Sequence, residues 1–213
     1  MSATLADPQS ILAFWFGDPA LFNTVPHITT QMERWFMNKD PTVEVSFNEA
    51  RDMIELLGQD EGLGEEWLTP KGTLARIVML DQGSRTVFRA TTQAFTHDPT
   101  ALRLSLDLVQ KGVFYTHFAA IERLMITMPM LHSEHMHAHD TAAGLYPLSA
   151  DSPEDVQQMF KVMRGFLEDH SVVIGQFGRY PSRNGALGRE STAEEEAWLS
   201  SPDIPAWARS QMK

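Results

Sequence analysis

Ile121-Glu-Arg-Leu-Met-Ile-Thr-Met-Pro-Met-Leu-His-Ser-Glu-His-Met-His-Ala-His-Asp140 is the stretch that decides how this chain is read. At about 100° per residue, Ile121, Met125, Met128, His132, His135 and His139 share one helical face. Arg123, Met130, Glu134 and His137 take roughly the opposite one. A segment this apolar predicts a buried helix, whose ionisable groups need partners. Pro129 removes a backbone hydrogen bond in the middle and predicts a kink, which would bring His132 and Glu134 towards a common space.

The same helical signature extends in both directions. A polar capping residue followed by proline recurs at Asp7-Pro8, Asp40-Pro41, Thr69-Pro70, Asp98-Pro99, Ser152-Pro153 and Ser201-Pro202. Proline suits a first helical position, and the residue before it can accept a bond from an unpaired first-turn amide. Helices are expected over Pro8 to Phe16, about Ile28 to Met37, Pro41 to about Leu57, Pro70 to about Ser84, and from Pro99 to near Gly112. After the central helix and a break at Ala142 to Pro147, a long helix runs from Pro153 towards Ile174. Gly175 to Gly188 reads as irregular, Ser191-Thr-Ala-Glu194 as a capping box, and Trp198 and Trp207 as parts of two last short helices. The acidic, glycine-rich Gln59 to Glu66 reads as a loop. No long alternating run predicts a strand. The expectation is one all-α domain over residues 1–213, eight to ten helices joined by short links, arranged as a stack of antiparallel hairpins or a globular bundle.

Composition narrows the function classes. With 213 residues and 43% hydrophobic content, a sizeable core can form. The net charge of −11 argues against non-specific nucleic-acid binding. The absence of cysteine rules out thiolate catalysis, disulfides and cysteine-held metals. No apolar run approaches the roughly 20 residues of a membrane span, and no signal peptide is evident, so a cytoplasmic protein is the simplest expectation. Nothing calls for a cofactor. Oligomeric state and any protein partner are left open.

Arginine outnumbers lysine, twelve to five, and its planar fork suits carboxylate or phosphate. Asp81, Arg85 and Arg89 share a face if helical; Arg179, Arg183 and Arg189 sit among Gly178, Pro181, Gly185 and Gly188, a setting typical of binding loops. Each set also has a plainer reading as surface ion pairs. The histidines invite a metal reading through the i, i+4 spacing of His135 and His139, but neither HExxH nor Glu-x-x-His is present. His135, His137 and His139 read better as partly exposed helix-end histidines, which leaves His132 as the functional one.

Taken in order, Trp15-Phe16-Gly17, Leu80-Asp-Gln82 with Arg85 and Phe88-Arg89, Glu122-Arg123, Met128-Pro129, His132-Ser-Glu134, His170, Phe177-Gly-Arg-Tyr-Pro181 with Arg183-Asn184, and Leu187-Gly-Arg189 resemble the motifs of the bacterial domain-of-unknown-function family DUF924. The resemblance covers nearly the whole chain. It implies an all-α, TPR-like fold and carries no established activity. This chain departs from the pattern at Gly83 and Ser84, where members usually have Phe-Pro, at Thr127, usually Tyr, and at Ser182, usually His.

Three functions follow as expectations. The first is an internal pocket for a small anionic carboxylate or phosphate, with Asp81, Arg85, Arg89, Arg123, Arg179, Arg183 and Asn184 as ligand-binding residues and His132, oriented by Glu134 or another carboxylate, as catalytic acid or base. The second is a non-catalytic helical adaptor for a peptide or protein. The third is a histidine-ligated metal protein.

Overall fold

The computed structural model describes residues 4–37, 40–59 and 61–209. Met1–Ala3, Asn38–Lys39, Asp60 and Ser210–Lys213 lie outside it, which takes in the start of the N-terminal segment and one residue of the acidic loop.

The described residues are helical, with no strand among them. Helix α1 spans Pro8–Phe16, as the sequence predicts. Asp7 accepts from the Ser10 amide at 3.0 Å, Ser10 Oγ accepts from the Asp7 amide at 3.2 Å, and Gly17 ends the helix at φ 76°. Helix α2, Val25–Phe36, starts about a turn earlier than expected, with Pro26 in its first turn. The helix expected over Pro41 to Leu57 is two: α3, Pro41–Glu49, and α4, Arg51–Gly58, parted at Ala50. The stripe Val43, Phe47, Ile54 and Leu57 is nonetheless buried throughout.

Helix α5, Pro70–Ile77, widens into a π-helical turn, Val78–Gly83, before tightening again as α6, Ser84–Val87. Helix α7 is Asp98–Gln110 and α8 the single turn Phe114–His117. Helix α9, Ala120–His132, runs through Pro129 and ends at His132, where Ser133 is extended at φ −69°, ψ 142°. A new helix, α10, begins at Met136 and ends at Gly144. The shared face that placed His135 and His139 in line with His132 therefore does not exist, because the helix stops between them. Helix α11, Glu154–Phe177, is closed by Gly178 in the left-handed region at φ 68°. The segment expected to be irregular holds a 3-10 turn, Pro181–Arg183, and α12, Asn184–Leu187. Helices α13, Ala193–Leu199, and α14, Ala206–Arg209, follow. The capping box sits one residue later than predicted, on Thr192 and Glu195.

The proline punctuation is informative where it fails. Asp7, Asp40 and Thr69 cap as expected. Asp98 instead lies inside α7, with His97 at the cap position, so its carboxylate is available for other partners. Ser201-Pro202 opens no helix, and α14 begins only at Ala206.

Of the two expected arrangements the bundle describes the packing. Helix α5 contacts α1, α7 and α9, none of them its chain neighbour, and α9 also packs on α7, α10 and α11. Residues 72–77 of α5 are all buried, as is nearly all of α9. The Trp15 and Trp35 rings stack at 5.1 Å, and Trp35 Nε1 donates to the Trp15 carbonyl at 3.0 Å, tying α1 to α2. This central placement of α5, its π turn and α9 brings Asp81 and His132 face to face.

Candidate functional site

A cavity of about 640 Å³ opens between α2, α3, α6, α9 and α11. Its polar end is built from three distant pieces of chain. The π turn carries Asp81, the end of α9 carries His132, and the Pro181–Arg183 turn carries Arg183. Inserting a wide turn into a helix rotates the residues within it, and such turns are frequent at functional sites.

Asp81 Oδ1 lies 2.7 Å from His132 Nδ1. The carboxylate, 1% exposed, also receives Gln82 Nε2 at 2.5 Å and faces Arg85 at 3.0 Å. Burial alone would raise its pKa, but Arg85, His132 and the bonds from His132 and Gln82 outweigh that and hold it well below the usual carboxylate range. It is thus an anion that accepts at Nδ1, which fixes the imidazole as the Nδ1–H tautomer. Burial and the nearby Arg85 push the His132 pKa down, so the ring is neutral near pH 7. Its Nε2 has no hydrogen-bond partner among the described residues, and His132 lines the cavity with 14% of its side chain exposed. The arrangement is a neutral base held in one tautomer with its lone pair free.

Around this pair is a ring of ionic contacts. Arg85 binds Asp98 in a two-pronged bond at 2.9 and 3.0 Å. Arg183 reaches the same carboxylate at 3.2 Å and donates to the His132 carbonyl at 2.7 Å. Its guanidinium lies over Phe95 and Tyr180, at 4.8 and 4.7 Å. Burial and the proximity of Arg85 lower the Arg183 pKa, against the opposing pull of Asp98 and Glu134. Arg89 also lines the cavity, exposed and without an ion pair among the described residues. His170 borders the same end; its Nδ1 donates to the Phe166 carbonyl at 2.6 Å, its ring stacks on Trp207 at 4.0 Å, and burial pushes its pKa down to about 3.

The sequence-based site is thus divided. Asp81, Arg85, His132 and Arg183 meet, with Arg89 at the cavity's edge. Glu134 does not orient His132; it accepts from the Tyr180 amide at 2.8 Å and from Arg189 at 2.7 and 3.0 Å, because the chain turns away after α9. Arg123, 1% exposed, lies outside the cavity, bonded to Asp151 at 2.5 and 2.7 Å and to the carbonyls of Phe114, Tyr115 and Leu148. Arg179 is engaged by Glu195 at 2.6 and 2.7 Å, and Asn184 links Ser191, Glu195 and Arg189. These four hold the C-terminal segment and the links around α9 in place and do not line the cavity.

His135 and His137 are exposed, as expected, but they begin α10 and do not end a helix. His139 is buried and bonds the Ser133 carbonyl at 2.9 Å, stitching the turn after α9. Among the described residues, no three His, Asp or Glu side chains converge as a metal site. None of the helices described is long and apolar enough to cross a membrane.

The sequence reading missed Asp98, Gln82 and His170 as members of this end. Asp98 carries a signal, an acidic residue before proline, but that signal points to a helix cap. Its real partners lie 13 and 85 residues away.

The sequence model for a bacterial protein of unknown function (DUF924) matches residues 11–203. A solved structure, that of the protein of unknown function ATU0120 from Agrobacterium tumefaciens, is similar with a TM-score of 0.57 and 23% identity, over 91% of this chain and 96% of that one. At that identity the likeness is one of fold. No curated protein matches the sequence.

Proposed function

The chain belongs to the DUF924 family of bacterial proteins, and from that premise we propose that its central cavity binds a small organic anion on which His132, positioned by Asp81, acts as a proton acceptor. The observation that carries this reading is the 2.7 Å contact between Asp81 and His132 Nδ1 at the polar end of a 640 Å³ cavity. A histidine with one nitrogen fixed by a buried carboxylate and the other free meets the geometric requirement for a general base. Asp81 and Arg85 position and touch no ligand in this reading. Arg183 and Arg89 receive the anion, since both line the cavity, Arg89 has no ion pair among the described residues, and Arg183 shares the Asp98 carboxylate with Arg85.

A helical adaptor would present its charged residues along an open surface. His132 is withdrawn from solvent, at 14% side-chain exposure, and lines the cavity, which favours a pocket; Arg89 lines it from an exposed position, and the buried Arg123 serves carbonyls outside it. The test is to incubate a bacterial metabolite extract with the protein and with His132→Ala, and to compare the two by mass spectrometry between pH 5 and 9. Species consumed or formed only by the unaltered protein are expected. Identical profiles across that range would remove the acid–base role.

A further inference from the structure

The polar end accounts for a minor part of the cavity. Beyond it the walls are Met32, Trp35, Met128 and Met163, with Leu124 and Leu131 beneath. Methionine walls are deformable and accept apolar bodies of varied shape. The opening is apolar as well. Phe36, Met37 and Phe166 line the cavity and are 45%, 65% and 56% exposed. A residue that lines a cavity and also faces solvent stands at its mouth. Three large apolar side chains held in water around one opening form a patch of the kind that marks a binding site. Arg89 also lines the cavity from an exposed position.

We propose that the ligand is a single-chain amphiphile, a carboxylate with an extended hydrocarbon body, whose tail lies among the methionines and whose head meets Arg89 and the His132 end. This rests on the reading of the cavity as a ligand site and adds the substrate class. A short polar anion would leave the methionine wall facing water, and an uncharged hydrocarbon would leave unmatched Arg89, which has no ion pair among the described residues.

The test uses the whole chain and a homologous series of straight-chain carboxylates, from butanoate to dodecanoate, with inorganic phosphate and 1-decanol as controls. Trp15, Trp35 and Trp207 line the cavity, so intrinsic fluorescence reports occupancy, with calorimetry as the second measurement. Affinity is expected to rise about three- to fourfold per added methylene until the cavity is filled. Arg89→Ala, at an exposed position, should weaken decanoate about tenfold and leave 1-decanol unchanged. Phe166→Ser should weaken decanoate more than butanoate.

An affinity independent of chain length, or phosphate binding as tightly as decanoate, would overturn the proposal. So would dimerisation through Phe36, Met37 and Phe166 without decanoate binding, which would give the mouth to a second copy of the chain. His132→Asn separates this inference from the acid–base reading. Chain-length-dependent binding that survives in that variant, with no His132-dependent turnover of any compound, upholds the amphiphile and removes the base. Turnover confined to short polar anions does the reverse.

Discussion

Asp81 and His132 stand 51 residues apart in the chain and 2.7 Å apart in space, joined because a π turn rotates one towards the end of the helix that carries the other. The pairing leaves the imidazole with one committed nitrogen and one free one. It also surrounds a buried carboxylate with three donors, Gln82, Arg85 and His132, so that no part of the charge lacks a partner.

Asp81→Asn tests the pairing directly. The amide keeps the shape but can present either its oxygen or its NH2 to Nδ1, so the Nδ1–H tautomer is no longer enforced. Any His132-dependent turnover should fall by about 10²- to 10⁴-fold, the usual range for general acid–base assistance. Nitrogen NMR of the histidine ring should show Nδ1 protonated in the unaltered protein and a mixture in the variant. A single unchanged tautomer in the variant would show that Asp81 does not set it.

Arg123 is expected to matter for stability and not for binding. Its guanidinium satisfies three backbone carbonyls, and Arg123→Met would leave those of Phe114 and Leu148 buried without a donor. The ion pair with Asp151 adds little, because that carboxylate is largely in water. Stranded buried carbonyls cost about 1–3 kcal/mol each, so a loss of roughly 3–5 kcal/mol is expected in denaturant unfolding. Ligand affinity measured well below the melting temperature should not change. A variant as stable as the parent would contradict the bonding described.

Helix formation was largely legible because its signals are local. Asp7, Pro8, Ser10 and Gly17 define α1 within ten or so residues, and the same cap-and-proline logic opens α3 and α5. The site was legible by residue type and not by pairing. Of the carboxylates that could orient His132, Glu134 lies two positions away, yet α9 ends between them and sends Glu134 to Arg189, leaving the part to Asp81. A buried arginine on an apolar helix looks the same in sequence whether it serves a ligand or, like Arg123, a set of carbonyls. The π turn was invisible because Val78–Gly83 has the composition of an ordinary buried helix. Asp98 was misread for a related reason: its local context suits a cap, and only the folded chain supplies Arg85 and Arg183.

Gly72 is fixed by packing. It lies in the first turn of α5, where alanine is intrinsically better by about 1 kcal/mol. A Cβ there would stand 2.0 Å from the Glu66 carbonyl oxygen and 2.7 Å from Trp67 Cα, both backbone atoms of the preceding turn. Relief requires shifting that turn and the buried Trp67 with it. Gly72→Ala should therefore destabilise by about 1–3 kcal/mol, the usual cost of overpacking, against the sign that helix propensity gives. A stabilised variant in thermal unfolding would place the turn elsewhere.

Acid should weaken the protein before its carboxylates titrate. His132, His139 and His170 all have pKa values below the ordinary 6.5, each chiefly through burial, with His170 at about 3. In the unfolded chain these rings take up protons as the pH falls through 6.5; in the folded protein they resist. The unfolded state then binds more protons, so stability is greatest above that range and declines below it. For His170 the window runs from 6.5 down to about 3, at a slope of about 1.4 kcal/mol per pH unit once the unfolded ring is charged. Asp81, held low by Arg85 and His132 against the opposing effect of burial, adds a further loss only at more acid pH, below the ordinary carboxylate value. Urea unfolding at pH 7.5, 6.0 and 5.0 should give a falling free energy, and His170→Phe, which keeps a ring against Trp207, should flatten the slope. A pH-independent stability over that interval would mean that the three rings are hydrated in the folded protein.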